Sequence, residues 1–299
     1  MASTHSAASY ESFFLEAKAS KARSRLIWDR FLTWLCIGAS FLTLIPLFSL
    51  IFLVVKNGAP LISWSLFTEL PPAAGLTGGG FGNALVGTAA MVGIALGLAT
   101  PVGICAAIFI NEYAPNAKLS HAVRFVAKLL TGVPSIICGV FAYAVVVLVT
   151  GTFSAFAGGF ALAVLILPTI LLTSEQALIG VPKAYREASY GLGATTFQTI
   201  WRVVLPDGLP AIMSGVMLSV ARASGETAPV LFTALFSQYW ARSAMEPTAS
   251  LSVLIYNFAT LPFEHQVKMA WAASLVLVVL VTLINIIAQT VFVKKHVGH

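Results

Sequence analysis

The chain has 299 residues, 58% of them hydrophobic and only 9% charged, with a mean hydropathy of +0.91. A soluble domain carries roughly 25% charged residues, which excludes a soluble globular protein; apolar runs that do not alternate exclude a transmembrane β-barrel. The net charge of +6 then reads as the basic loops of a polytopic helical membrane protein rather than as a nucleic-acid surface.

About 30 polar residues precede the first apolar run, and no small-residue cleavage pattern follows it, so that run reads as a retained helix. A bilayer-crossing helix needs about 20 apolar residues, and six spans meet this requirement. They are predicted over Phe31–Val55, Phe81–Ile110, Arg124–Thr150, Phe156–Glu175, Asp207–Phe236 and Met269–Val293. Prolines 46, 101, 134, 168 and 229 are expected to kink these helices without ending them, because neighbouring helices re-satisfy the freed carbonyls. The organisation read from this is a tail over 1–30, a first helix with an outer loop over 31–80, a five-helix core over 81–293 and a short tail over 294–299.

Basic residues orient the chain. With the N-terminus inside, thirteen of the seventeen Lys and Arg fall on the cytoplasmic side, including Lys294 and Lys295. Only Lys56, Arg242 and Lys268 fall outside, and Arg222 lies within the fifth span. Such asymmetry places both termini in the cytoplasm.

The first outer loop carries "ELPPAAGLTGGG", too rich in Pro and Gly to be helical throughout. The last holds "LSVLIYNFATLPF", too short to cross a bilayer and read as an interfacial helix or a partner-binding surface. In the second span, Gly87, Gly93, Gly97 and Gly103 include a Gly-x-x-x-Gly pair, read as a close helix-packing face. Cys36, Cys105 and Cys138 lie in apolar runs and read as small core residues, and the five His show no ligand spacing, so no metal site is expected. Gly78–Gly80 lacks the Gly-Lys-Ser/Thr ending of a phosphate-binding loop, and no such motif occurs elsewhere. The chain is therefore not expected to hydrolyse ATP.

The largest inner loop, about residues 176–206, contains "VPKAYREASYGLGATTFQTIWRVVLPDGLPAI". Pro182 suits the start of a short helix, small Ala184, Ala188 and Ser189 suit a closely docked face, and Gly191 and Gly193 allow exit with positive φ. Glu187-Ala188-Ser189, then Gly193, then Val203-x-Leu205-Pro206 resembles the EAA loop of binding-protein-dependent ABC-importer permeases, with Ser and Val as mild departures. "GGFGNALVGT", "TGVPSIICGVF" and "ARASGETAPVLFTA" resemble, within that family, the A-type (PstA-type) permeases of bacterial phosphate importers.

The resemblance implies a type I importer fold in the bacterial inner membrane. Its coupling residues would be Arg186, Glu187, Ala188, Ser189, Gly193, Leu205 and Pro206, with Arg186 or Glu187 pairing across the contact. It implies a related permease as heterodimer partner, two ATPase subunits holding ATP and Mg, and an extracytoplasmic phosphate-binding protein. The cargo would be inorganic phosphate, no cofactor would sit on this chain, and lipid would surround it. Sulfate or molybdate is the competing cargo; a secondary transporter would show inverted repeats or broken helices and has no use for the loop pattern.

One further feature stands out. "SVARASGETAPVLF" puts Arg222 and Glu226 four residues apart in an apolar span. A charge at a helix centre costs about 2.5–3.5 kcal/mol on insertion scales, and Arg preceding Glu is the weaker order for an intrahelical pair. Three readings stand: Arg222 faces a translocation path, it pairs with a sister subunit, or the two charges simply pair. Ser219, Ser224, Thr227 and Thr233 share the segment as hydroxyls available to an anion.

Overall fold

A computed structural model describes the backbone of residues 4–292 and the side chains of residues 28–287 and 290. The predicted tail 294–299, with Lys294 and Lys295, lies outside the described residues, as does Val293 at the end of the sixth predicted span. The chain divides into two units, Met1–Lys56 and Asn57–His299.

The first unit is the body of one helix, α1 (Thr4–Gly58), which carries Pro46 inside it. The backbone from Thr4 is helical and runs without a break into the first apolar span, which extends over Trp28–Leu61.

The second unit is all helical among the described residues. A single turn, α2 (Ser65–Thr68), leads into the Gly-rich loop, which folds back so that Gly80 and Phe81 donate to the carbonyls of Leu70 and Leu66. Then follow α3 (Gly82–Ile108), ending in a π turn over Phe109–Tyr113, α4 (Lys118–Thr131) and α5 (Ser135–Ala142). A second π turn over Tyr143–Val147 joins α5 to α6 (Leu148–Thr150). Next come α7 (Ala155–Gly180), α8 (Lys183–Gly191) and α9 (Thr196–Thr199). A third π turn, Ile200–Val204, makes α9 continuous with α10 (Leu205–Gly225). Last among the described residues come α11 (Ala228–Leu231), α12 (Leu251–Ala259) and α13 (Glu264–Phe292).

Five helical runs are long and apolar enough to cross a membrane, and six if the bent pair α4 and Ser135–Thr150 counts as one. That pair corrects the prediction of a kinked third span, for it turns by 106° at Gly132–Pro134. Pro134 has no N–H and biases its predecessor to extended backbone. The preceding α4 carries Lys118, Arg124 and Lys128, which lipid would charge heavily for.

The fifth span is also corrected, because it is two helices. Pro229 cannot donate to the carbonyl four residues back, and its ring would press on that carbonyl, which belongs to Gly225. The helix stops there: Glu226 is extended (φ −74°, ψ 128°), and α11 restarts with Pro229 in its first turn. Prolines 46, 101 and 168 stay inside continuous helices as expected.

The main core packs α3 against α7 and α10, with Met91, Ala95, Ala99, Ile166, Ile170, Ile212 and Val216 buried. On α7, a Cβ on Gly158 or Gly159 would sit 2.6 Å from Met91 Sδ or Ile94 Cβ, so both glycines allow close approach to α3. Gly93 and Gly97 meet nothing within 4 Å, so the predicted Gly-x-x-x-Gly face packs on no helix of the described chain, whereas Gly87 and Gly103 do make close contacts. Of the cysteines only Cys138 is buried. The short apolar stretch before α13 is α12, and Leu251, Leu254 and Phe258 bury it against α13.

Candidate functional site

Two places collect the singled-out residues. The first is the α8–α9 hairpin. Pro182 sits at the N-cap of α8 with extended ψ (135°). The chain leaves the helix through Gly193 at φ +82°, which donates to Tyr190 O, while Ala194 N–H donates to Ser189 O. Thr195 then opens α9 with a capping box: Gln198 N–H donates to Thr195 Oγ1, and Thr195 N–H donates to Gln198 Oε1. Thr195-x-x-Gln198 is a legible start signal that the sequence reading passed over when it began the fifth span at Asp207.

No residue of α8 is buried. Glu187 and Ala188 are exposed, and Leu192 is 90% exposed at the tip. Tyr185, Tyr190, Phe197 and Trp201 are also exposed, the last two with ring centroids 5.9 Å apart. An apolar, aromatic surface on a hairpin this polar in its backbone is what a docking face presents. Ser189 is half-buried and its hydroxyl meets Thr199 Oγ1 at 2.9 Å. Leu205 packs on the main core and Pro206 is exposed in the first turn of α10.

Arg186 is turned inward, with four of its five N–H donors bonded within the chain. Its guanidinium is bidentate to Glu112 (3.1 and 2.6 Å) and donates to Val181 O and Leu178 O, both at 2.8 Å. Glu187, by contrast, has no hydrogen-bond or ion-pair partner among the described residues.

A second arginine beside it was missed by the sequence reading. Arg124 of α4 pairs through Nε with Glu175, a carboxylate only 4% exposed near the end of α7. It also donates to Ile110 O (2.7 Å) and Pro115 O (3.1 Å). The available signal was Glu175 itself, a carboxylate at the end of an apolar run, which calls for a partner.

The second place is the break between α10 and α11. Because α10 ends at Gly225, Arg222 lies in the last turn of that helix, where its charge is favoured by the helix dipole. Its side chain is 39% exposed, and its one hydrogen bond among the described residues is a 3.5 Å contact from Nε to Glu226 Oε1. That is the weak limit of a hydrogen bond, in contrast to the three or four bonds made by Arg124 and Arg186. Ser252 of α12 fixes the break by donating to Glu226 O at 2.9 Å.

From the other side, α5 closes on α11. A Cβ on Gly139 would lie 2.7 Å from Pro229 Cα. Backbone cannot yield as a side chain does, so Gly139→Val should cost about 1–3 kcal/mol of overpacking, read as an earlier melting midpoint of the purified chain in detergent.

None of the singled-out hydroxyls bonds to Arg222 among the described residues. Ser219, Ser224 and Thr233 are buried and donate to Gly215 O, Val220 O and Pro229 O of their own segments. Thr227 is half-buried at the N-cap of α11.

These two places lie within a region of known pattern. Residues 99–295 match the family described as binding-protein-dependent transport system inner membrane component. The chain belongs to this permease family. It is 36% identical over 281 residues to the phosphate transport system permease protein PstA of Yersinia pestis, covering 94% of this chain and 95% of that one. The PstA of Haemophilus influenzae is 37% identical, with 91% and 97% covered. A probable PstA of Methanocaldococcus jannaschii is 32% identical, with 86% and 90% covered.

Among solved structures, the permease fold is shared with a bacterial alginate ABC transporter in complex with a pentasaccharide-bound periplasmic protein. There the TM-score is 0.63 at 18% identity, with 88% of this chain and 93% of that one covered. It is also shared with the inward-facing MetNI methionine ABC transporter, at TM-score 0.56 and 22% identity, with 71% and 92% covered. The permease is a non-catalytic, multi-pass membrane component of an ATP-driven importer, a family that works with ATPase and substrate-binding partners.

Proposed function

We propose that the chain is the permease subunit of an importer that moves inorganic phosphate across the bacterial cytoplasmic membrane by alternating access. The observation that carries the cargo is the end-to-end likeness to phosphate transport permeases. In this reading the permease pairs with a related permease, two ATPase subunits holding ATP and Mg, and an extracytoplasmic phosphate-binding protein. It holds no cofactor itself. Both termini and the α8–α9 hairpin face the cytoplasm, as the basic loops require, and the exposed face around Leu192 seats the ATPase.

The loosely held Arg222 gives the path its chemistry. A planar guanidinium offers paired donors to phosphate oxygens. Its weak contact with Glu226 neutralises the charge while no anion is present and is given up when one arrives. A conduction site must bind weakly enough to release, and an exchangeable partner supplies that.

Reconstituted with its partners in proteoliposomes, the permease should take up radiolabelled phosphate only with ATP. A tenfold excess of sulfate or molybdate over phosphate should leave the rate unchanged. Faster transport of either competitor than of phosphate would assign the cargo to that oxyanion instead.

A further inference from the structure

The α8 hairpin raises a mechanical question. A helix with no buried residue has little hydrophobic grip on the bundle, yet the proposed function requires its displacement to move the membrane helices. Besides its covalent ends and its packing on the Ile200–Val204 turn, the side-chain bonds that hold α8 among the described residues are the Ser189–Thr199 hydroxyl contact and those of the Arg186 guanidinium. The hydroxyl contact reaches α9, which continues into α10. Arg186 reaches two further helices.

Its four bonds land on two different helices. Glu112 belongs to the π turn that ends α3, and Leu178 and Val181 supply carbonyls at the end of α7. The joint is largely dry, with the Arg186 and Glu112 side chains 16% and 7% exposed. Charge-assisted, bidentate bonds of this kind fix orientation as well as distance. The π turn is gripped from its other side as well, where Arg124 takes Ile110 O while also pairing with Glu175 of α7. Asn111 Nδ2 adds a bond to Glu112 Oε1 at 2.7 Å.

We propose that the Glu112–Arg186 pair is the joint that transmits motion of α8 to α3 and α7. Arg186 and Glu112 are positioning residues: neither docks the ATPase nor touches the cargo. The proposal rests on the reading of α8 as the coupling helix. It assigns force transfer to one side-chain pair, and it explains why Arg186 is turned inward while Leu192 and Glu187 remain outside.

Arg186→Lys is the direct test. An ammonium is a point charge and cannot hold a carboxylate and two carbonyls in one plane. In the full complex in proteoliposomes, the variant should keep its ATPase subunits on purification and hydrolyse ATP at an ordinary rate. Phosphate moved per ATP should fall by about tenfold, the size of a lost coupling free energy.

Glu112→Gln keeps the shape and one acceptor while removing the anion. It should show the same split and serves as the measurement if the Arg186→Lys permease itself does not fold and insert. An unchanged ratio of uptake to hydrolysis in either assembled variant would overturn the proposal. So would loss of the ATPase from the purified complex, which would make the pair part of the docking face. Failure of the coupling-helix reading itself shows elsewhere, as an ATPase that stays bound when Leu192 is made Asp.

Discussion

Arg222→Gln should abolish phosphate uptake while leaving the permease inserted, assembled and stable. The stability half follows from how loosely Arg222 is held: a 3.5 Å pair with a side chain 39% exposed contributes less than about 1 kcal/mol. Removing a charge from a membrane helix also lowers its insertion cost. The transport half follows from what the anion loses. Two charge-assisted hydrogen bonds at about 1.5–3 kcal/mol each come to about 3 kcal/mol or more, which is a hundredfold or more in rate.

Arg222→Lys keeps the charge without the fork and should recover part of the rate. Glu226→Gln removes only the resting partner and should have the smaller effect. The measurement is ATP-driven phosphate uptake together with the subunit composition of the purified complex. An Arg222→Gln complex that arrives without its sister permease would move Arg222 to the subunit interface, and normal uptake would remove it from the mechanism altogether.

Leu192→Asp should release the ATPase. Leu192 is 90% exposed in the isolated chain, so its replacement stays within about 0.5 kcal/mol for folding, as surface changes do. Buried in a partner's groove, a leucine is worth about 1.5–3 kcal/mol, and an unpaired carboxylate in its place adds a desolvation penalty. Together these predict ATPase binding weakened by a hundredfold or more, read by co-purification and by loss of uptake. The contrast with Arg186→Lys is the informative one. Two substitutions six positions apart should separate attachment from transmission. An ATPase that remains fully bound to the Leu192→Asp complex would show that the exposed hairpin is not its seat.

Membrane class, the existence of the spans and the family motif were legible in the residues because each is a one-dimensional property. Twenty apolar residues are long enough to cross a bilayer whatever lies beside them, and Glu187 to Pro206 keeps its spacing in any context. Two boundaries were legible in principle but missed. Thr195 and Gln198 announce α9, and Pro229 sits four residues after Gly225, where its missing donor and its ring end α10.

Other properties depended on neighbours distant in the chain. Arg186 and Glu112 are 74 positions apart and Arg124 and Glu175 are 51 apart, so no local pattern distinguishes an arginine committed to the bundle from one left free. Sequence alone determined that this chain is a helical permease with a charged pair inside its fifth apolar run and the Glu187-to-Pro206 pattern before it. Tertiary structure alone decided that Arg186 is locked, Arg222 is loose and the helix between Arg222 and Pro229 is broken at Glu226. The physical reason is that commitment of a charge is set by the donors and acceptors that folding brings within about 3 Å, and those arrive from other helices.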